Sequence, residues 1–222
     1  MKKPPAKRPR RSQEDRSRET RLQILEAALK VMLKSGYTGF RVADVATRGG
    51  VSRGAILHHF PTKDDLVAHT IEHAYERALA RSRSRASHLD ASKDPIEAMI
   101  IDSKEFYFGD FFFLLATMGA SKGTGGRAIT VPLTRQYRLP AEYAWQQTLE
   151  ARGLPRELAE DTVWLALSIV RGLAIRTAFQ NEPERFQRLF DLFREIFWTY
   201  WDVKTASKPL GGRGAAKKAT SR

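Results

Sequence analysis

Apolar residues recur at helical spacing from Leu22 onward: Leu25, Leu29, Met32 and Leu33 continue the stripe, and Ile24, Ala28 and Val31 widen it. This spacing predicts an amphipathic helix that ends near Ser35-Gly36. The stretch from Arg41 to Phe60, Arg-Val-Ala-Asp-Val-Ala-Thr-Arg-Gly-Gly-Val-Ser-Arg-Gly-Ala-Ile-Leu-His-His-Phe, reads as two short helices joined by a glycine turn. Ala46 is small where two helices must cross closely, Gly50 can take the positive φ of a tight turn, and Val51 and Ile56 supply apolar contacts. Ser52 is placed to cap the second short helix, so Arg53, Gly54 and Ala55 fall on its first turn. In a helix-turn-helix those positions face base edges in the major groove. Pro61 then blocks continuation, Thr62 can cap and Asp65 can return the bond, predicting a long fourth helix from near Lys63 to about Ser87.

From residue 94 the pattern changes to long helices with large apolar side chains. Asp94-Pro95 opens one carrying Ile96, Met99, Ile100, Phe106 and Tyr107, and Phe111 to Leu115 is apolar on every side. Ser121 to Arg127 reads as a loop by its glycines; it lacks the lysine-serine pair and preceding strand of a phosphate cradle. Helices are expected over 131–152, interrupted or bent at Pro140, over 156–180, and from about Pro183 to Val203. The apolar run from Trp164 to Ile175 and the aromatic stripe of the last helix exceed what a small helical domain needs. They predict a four-helix interface between two copies, carried by Trp164, Val170, Leu173, Phe190, Phe193 and Phe197. Burial inside a single chain is the competing account.

Composition adds a class of partner. The 222 residues carry a net charge of +13. Residues 1–21 and 204–222 each contribute +6, leaving +1 for the body between them. The expected organisation is a basic disordered arm over 1–18, a helix-turn-helix domain over 19–66, a ligand-binding and dimerisation domain over 67–203 and a basic disordered tail over 204–222. The tails could serve solubility alone or a polyanion. No stretch reads as a membrane span or an apolar signal core, so a soluble cytoplasmic protein is expected. With no cysteine, disulfides, thiolate metal sites and cysteine nucleophiles are excluded.

Other chemistry is sparse. Phe106, Phe111 and Phe112, with Tyr143 and Trp145 from the next helix, could line a cavity for an apolar ligand or be plain core, and Arg171 could pair with an anionic ligand or with an acid across the dimer. His58 and His59 diverge by about 100° on a helix and cannot chelate one ion. His69 and His73 lie one turn apart beside Glu72, but no third ligand is evident, so neither a metal nor a cofactor is expected. No nucleophile elbow, His-Glu-x-x-His or nucleotide-binding glycine pattern occurs, and no enzymatic role is expected.

Leu25-Glu-Ala-Ala28, Gly36-Tyr37, Val42-Ala-Asp-Val-Ala46, Gly50-Val51-Ser52 and His58-His-Phe-Pro-Thr-Lys-Asp-Asp-Leu66 resemble, in order and spacing, the tetracycline-repressor (TetR) family of bacterial transcription regulators. The resemblance is specific over residues 20–66. It implies an all-α fold, with an N-terminal three-helix helix-turn-helix domain and a helical C-terminal ligand-binding and dimerisation domain. It also implies a homodimer that binds double-stranded DNA at an inverted-repeat operator and is released by a small molecule. Residue by residue, it implies that Ser52, Arg53, Gly54 and Ala55 lie at the major groove and that His58, His59 and Lys63 lie near phosphates. Arg53 is the candidate base reader, because a guanidinium bonds guanine O6 and N7 together.

The chain departs from the family pattern twice. Phe40-Arg41 replaces the usual Thr-Thr, leaving the second helix without a side-chain cap and Arg41 free to reach a phosphate. Leu57 stands where a phosphate-bonding tyrosine is common. The alternative function is a ligand-independent architectural DNA-binding protein that works through its basic tails.

Overall fold

A computed structural model describes residues 12–121 and 125–206, with side chains to Val203. The described residues form nine α-helices and no strand, in two compact units that meet between Ile175 and Arg176 in the sequence.

Helix α1 (Gln13–Gly39) starts earlier than the apolar stripe suggests. The Ser12 hydroxyl accepts the Asp15 N–H at 3.0 Å, and the Asp15 carboxylate accepts the Ser12 N–H at 3.3 Å, a capping box that winds residues 13–18 into the helix. Residues 13–18 of the expected arm are therefore helical, and residues 1–11 lie outside the described residues. The buried face is also rotated: Ile24, Leu25, Ala27, Ala28, Val31 and Met32 are buried, while Leu22 and Leu33 are exposed. The physical cause is that α1 packs most extensively on three elements, α2 (Val42–Gly49), α4 (Lys63–Ser87) and α6 (Asp110–Ala120), and these face the Ile24–Ala28–Val31 side. Gly36, at φ 66°, breaks the helix where Ser35-Gly36 was expected to end it.

The two short helices form as the sequence predicts. Arg41 gives α2 no side-chain cap, and Gly50 ends it in the left-handed conformation, φ 60° and ψ 33°, its N–H donating to the last carbonyls of α2. A side chain there would cost roughly 1–2 kcal/mol. Ser52 caps α3 (Arg53–His59) through the Ala55 N–H at 3.0 Å. Thr62 and Asp65 form the expected capping box of α4, which spans the predicted residues.

Asp94 accepts the Ile96 and Glu97 N–H groups and opens α5 (Pro95–Tyr107). After α6 the structure differs from expectation. Helix α7 (Gly125–Ala151) takes in Gly125–Arg127 of the expected loop, residues 122–124 of that loop lie outside the described residues, and both Pro132 and Pro140 sit inside the helix. Each interior proline costs about 3 kcal/mol. Long packing of α7 along α4, with Tyr137, Ala141, Trp145 and Leu149 buried, offsets that cost. Helix α8 (Arg156–Arg176) stops short of residue 180, and the Phe179 and Gln180 N–H groups donate to the Arg176 carbonyl. In the second unit, α9 spans Pro183–Ala206.

One hydrophobic core runs through the first unit. Ile24, Val45, Ile56 and Phe60 share it with Leu66, Ile71, Tyr75, Leu114, Met118 and Tyr137. The expected domain boundary at Leu66 is thus crossed by continuous packing, because α1 and α4 bury residues in the same cluster as α6 and α7.

The expected interface residues divide. Val170, Phe190, Phe193 and Phe197 are buried within the single chain, Leu173 is half-buried, and only Trp164 is largely exposed, at 61%. Each helix has two apolar faces, and the sequence stripe had merged them. On α8 the exposed apolar residues are Trp164, Leu165 and Ile175; on α9 they are Leu189, Leu192, Ile196, Tyr200 and Val203, spaced by three and four.

Candidate nucleic-acid interface

The first turn of α3 presents Ser52, Arg53 and Gly54 to solvent, while Ala55 is half-buried and Ile56 is fully buried behind it. The Ser52 hydroxyl is committed to the Ala55 N–H, so the cap fixes where the turn begins and hence where Arg53 projects. A Cβ on Gly54 would meet only the Ser52 hydroxyl, at 3.9 Å, leaving room for another surface to approach the backbone. Arg41, at the start of α2, is exposed, and so is Leu57.

His58 is exposed and His59 half-buried, with the two rings 5.3 Å apart. Burial, then the neighbouring His58 and Arg21, hold the His59 imidazole below its ordinary value of 6.5, so it is neutral at neutral pH. Lys63 has partners within the chain. Its ammonium donates to the Tyr37 carbonyl at 3.4 Å and lies over the Tyr37 and Phe40 rings, at 5.0 and 5.9 Å, because the end of α1 runs beside the start of α4. The Tyr37 hydroxyl in turn donates to Asp64 at 3.1 Å.

Two positioning residues escaped the sequence reading. Arg21 lies over the Phe60 ring at 5.2 Å, bringing a cation of α1 to the end of α3. Gln23 donates to the Gly49 carbonyl at 2.6 Å. Only the basic and polar content of the first turns of α1 hints at either.

The same unit holds a half-open cavity of about 210 Å³ among α1, α4, α5, α6 and α7. Tyr75, Phe106, Phe111 and Tyr137 form an aromatic wall, with Tyr75 and Tyr137 stacked at 5.7 Å and 8°. Burial pushes the Tyr75 hydroxyl up to about 12. The arginines around the cavity are matched by carboxylates: Arg77 bonds Glu26, Arg85 bonds Asp102 and Glu105, and Arg138 sits 3.4 Å from Glu142.

Of the residues expected to line a ligand site, Phe106 and Phe111 line this cavity. Phe112 packs edge-on against Tyr107 at 5.0 Å, and Arg171 is exposed, over the Tyr107 ring at 5.9 Å. Trp145 is buried core, its N–H donating to Ser82 at 3.2 Å and to Asp102 at 3.0 Å. Tyr143 is 53% exposed; two residues from Trp145, it stands roughly 200° around the helix and cannot share its direction. Tyr75 and Tyr137 were missed because each also fits a helical core stripe. His69 and His73 are drawn to different carboxylates, Glu72 at 3.1 Å and Glu26 at 3.0 Å.

Known proteins match this arrangement. Residues 24–70 match the family described as bacterial regulatory proteins, tetR family. The HTH-type transcriptional regulator CymR of Pseudomonas putida is 40% identical over 189 residues, 84% of this chain and 93% of that protein. A transcriptional regulator from Aquifex aeolicus VF5 superposes with a TM-score of 0.58 at 21% identity, over 82% of this chain and 99% of the other. The regulator FadR of Bacillus subtilis, solved in complex with stearoyl-CoA, superposes with a TM-score of 0.53 at 16% identity, over 79% and 96%.

Proposed function

The chain belongs to the tetR family of bacterial regulatory proteins and is a transcriptional regulator, and from that premise we propose that it is a cytoplasmic repressor whose homodimer binds an inverted-repeat operator and is released by a small molecule. One observation carries the reading: helix α3 and an aromatic-walled cavity share a single hydrophobic core. An occupant of the cavity must push on side chains packed in the same cluster as Ile56 and Phe60. Close-packed interiors transmit such displacement.

On the DNA side, Arg53 reads a guanine edge, Ser52 and Gly54 let the helix start approach the groove, and Arg41, His58 and His59 position the backbone. A dimer places two such helices about 34 Å apart, one turn of the duplex. The exposed stripes of α8 and α9 supply the apolar surface for pairing. On the cavity side, FadR holding stearoyl-CoA supports a small-molecule effector here. Release follows if the effector prefers the dimer whose helices are off that spacing.

Footprinting of the full-length protein tests this. A discrete palindromic footprint, lost or shifted in register preference with Arg53→Ala at a cost of about 1–3 kcal/mol, supports the regulator. Even protection that vanishes with modest salt supports the architectural alternative, which the family membership does not favour.

A further inference from the structure

The cavity wall and the recognition helix are joined by an unbroken chain of polar and ring contacts. The Tyr137 hydroxyl of α7, whose ring faces the cavity, donates to Glu72 of α4 at 2.7 Å. The other oxygen of Glu72 meets His69 Nδ1 at 3.1 Å. The His69 ring lies 5.6 Å from Phe60, the residue that ends the recognition helix and whose N–H donates to the Ile56 carbonyl at 2.8 Å. The Phe60 ring is contacted in turn by His59 and Arg21.

We propose that Tyr137, Glu72 and His69 are positioning residues that transmit occupancy of the cavity to the end of the recognition helix, an inference that rests on the effector-released repressor reading. The Tyr137 ring is stacked on Tyr75, so any body that displaces one ring displaces the other. Its hydroxyl has one proton to give. When the ring moves, Glu72 loses that donor and turns toward His69, and the His69 ring shifts against Phe60. Burial first, and then the facing carboxylates of Glu72 and Glu76, keep the hydroxyl protonated, so it remains a donor. His73, one turn beyond His69, is bonded to Glu26 and stays out of the chain.

The neighbouring Thr134 provides an internal control. Its hydroxyl also reaches the tyrosine pair, bonding the Tyr75 hydroxyl at 2.8 Å, but it has no link to Glu72.

The test uses the full-length protein, the duplex it protects in footprinting, and operator affinity by fluorescence anisotropy, with histidine ring NMR signals as a second readout. Tyr137→Phe, which keeps the stacked ring, and Glu72→Ala are each expected to change operator affinity about fivefold or more, the lower end of ordinary site-to-site coupling. The double variant is expected to be no worse than either single one, since both cut the same chain. Glu72→Gln, which retains polar partners for both neighbours, restores most of the affinity, and Thr134→Val stays within about twofold of wild type. In the Tyr137→Phe protein the His69 ring signals move. Affinity unchanged in Tyr137→Phe, strictly additive losses, or an equal loss in Thr134→Val overturns the coupling while leaving the repressor reading intact. Absence of a discrete footprint for the wild type overturns the repressor reading and the coupling with it.

Discussion

Gln23 of α1 donates its side-chain N–H to the Gly49 carbonyl at 2.6 Å, and a Cβ on Gly49 would stand 3.2 Å from that of Ala27. The bond satisfies a carbonyl that the end of α2 leaves without an intrahelical partner, and the missing side chain lets the two helices touch. Gly49→Ala gains roughly 0.5–1 kcal/mol of helix propensity but overpacks a contact where such insertions cost about 1–3 kcal/mol. A net loss near 1 kcal/mol is expected by chemical denaturation, with a larger loss for Gly49→Val. A Gly49→Ala protein more stable than wild type would show that the crossing has slack.

Asp102 is buried and collects three donors, from Ser82 at 2.6 Å, Arg85 at 2.9 Å and Trp145 at 3.0 Å. Arg85 is partly exposed and can turn to water, the Trp145 N–H keeps only its longer bond to Ser82 at 3.2 Å, and the Ser82 hydroxyl loses its acceptor. Asp102→Ala is therefore expected to lose about 1–3 kcal/mol of stability, chiefly through the Ser82 hydroxyl and the weakened Trp145 bond. Asp102→Asn, which keeps one acceptor oxygen, should recover more than half. Equal losses in the two variants would mean that packing around residue 102, and not hydrogen bonding, is what the site requires.

The helix-turn-helix was legible because its signals are local: Gly50 and Ser52 act within one turn of where they stand, and Thr62 with Asp65 sets the start of α4 to the residue. The start of α1 was equally local in Ser12 and Asp15, but the basic run before it masked the capping pair. What could not be read were facts set by distant partners. Whether Tyr137 or Tyr143 faces the cavity depends on the register of α7 against α4, and the glycines before residue 128 and Pro140 made that helix look shorter and less continuous than it is. The apolar stripes of α8 and α9 showed that burial was needed, but not which half, Phe190 and Phe193 or Leu192 and Ile196, the chain would cover itself.

The proposed placement of His59 near a phosphate predicts a pH dependence of definite sign for DNA binding. The His59 value is held below 6.5 in the free protein, so as pH falls through 6.5 the unfolded chain takes up the proton first, and stability declines on the acid side. A nearby phosphate favours the charged ring, so binding takes up protons and operator affinity should rise as pH falls from about 7.5 to about 6, by up to roughly tenfold per unit for one proton. His59→Gln should flatten the profile. A profile unchanged by that substitution would assign the linkage to another group.

The stripe on α9, Leu189, Leu192, Ile196, Tyr200 and Val203, follows the three-and-four spacing of helices that pack in pairs. A carboxylate buried in such a contact has no partner to offset its desolvation. Ile196→Glu is expected to convert the dimer to monomer at micromolar concentration in sedimentation, with the helical content by circular dichroism unchanged. Phe193→Glu, on the buried face, should instead unfold the protein. If Ile196→Glu remains dimeric, pairing uses another surface, and Trp164→Glu on α8 is the next position to test.

Residues 2–11 hold six lysines and arginines and no acid, so their contribution to DNA binding can be measured separately from the fold, provided the deletion stops before Ser12. Removing residues 2–18 would also remove the capping box of α1, worth about 1 kcal/mol, and would confuse lost charge with lost structure. Each phosphate neutralised contributes about 0.9 to the slope of log affinity against log salt. If half of the six charges engage DNA, deleting residues 2–11 should lower that slope by roughly 3 and weaken binding most at low salt, while Ser12→Ala lowers stability and leaves the slope alone. Equal slopes for the deleted and full-length proteins would mean that Arg41, Arg53 and the histidines of α3 carry the affinity without the basic segment.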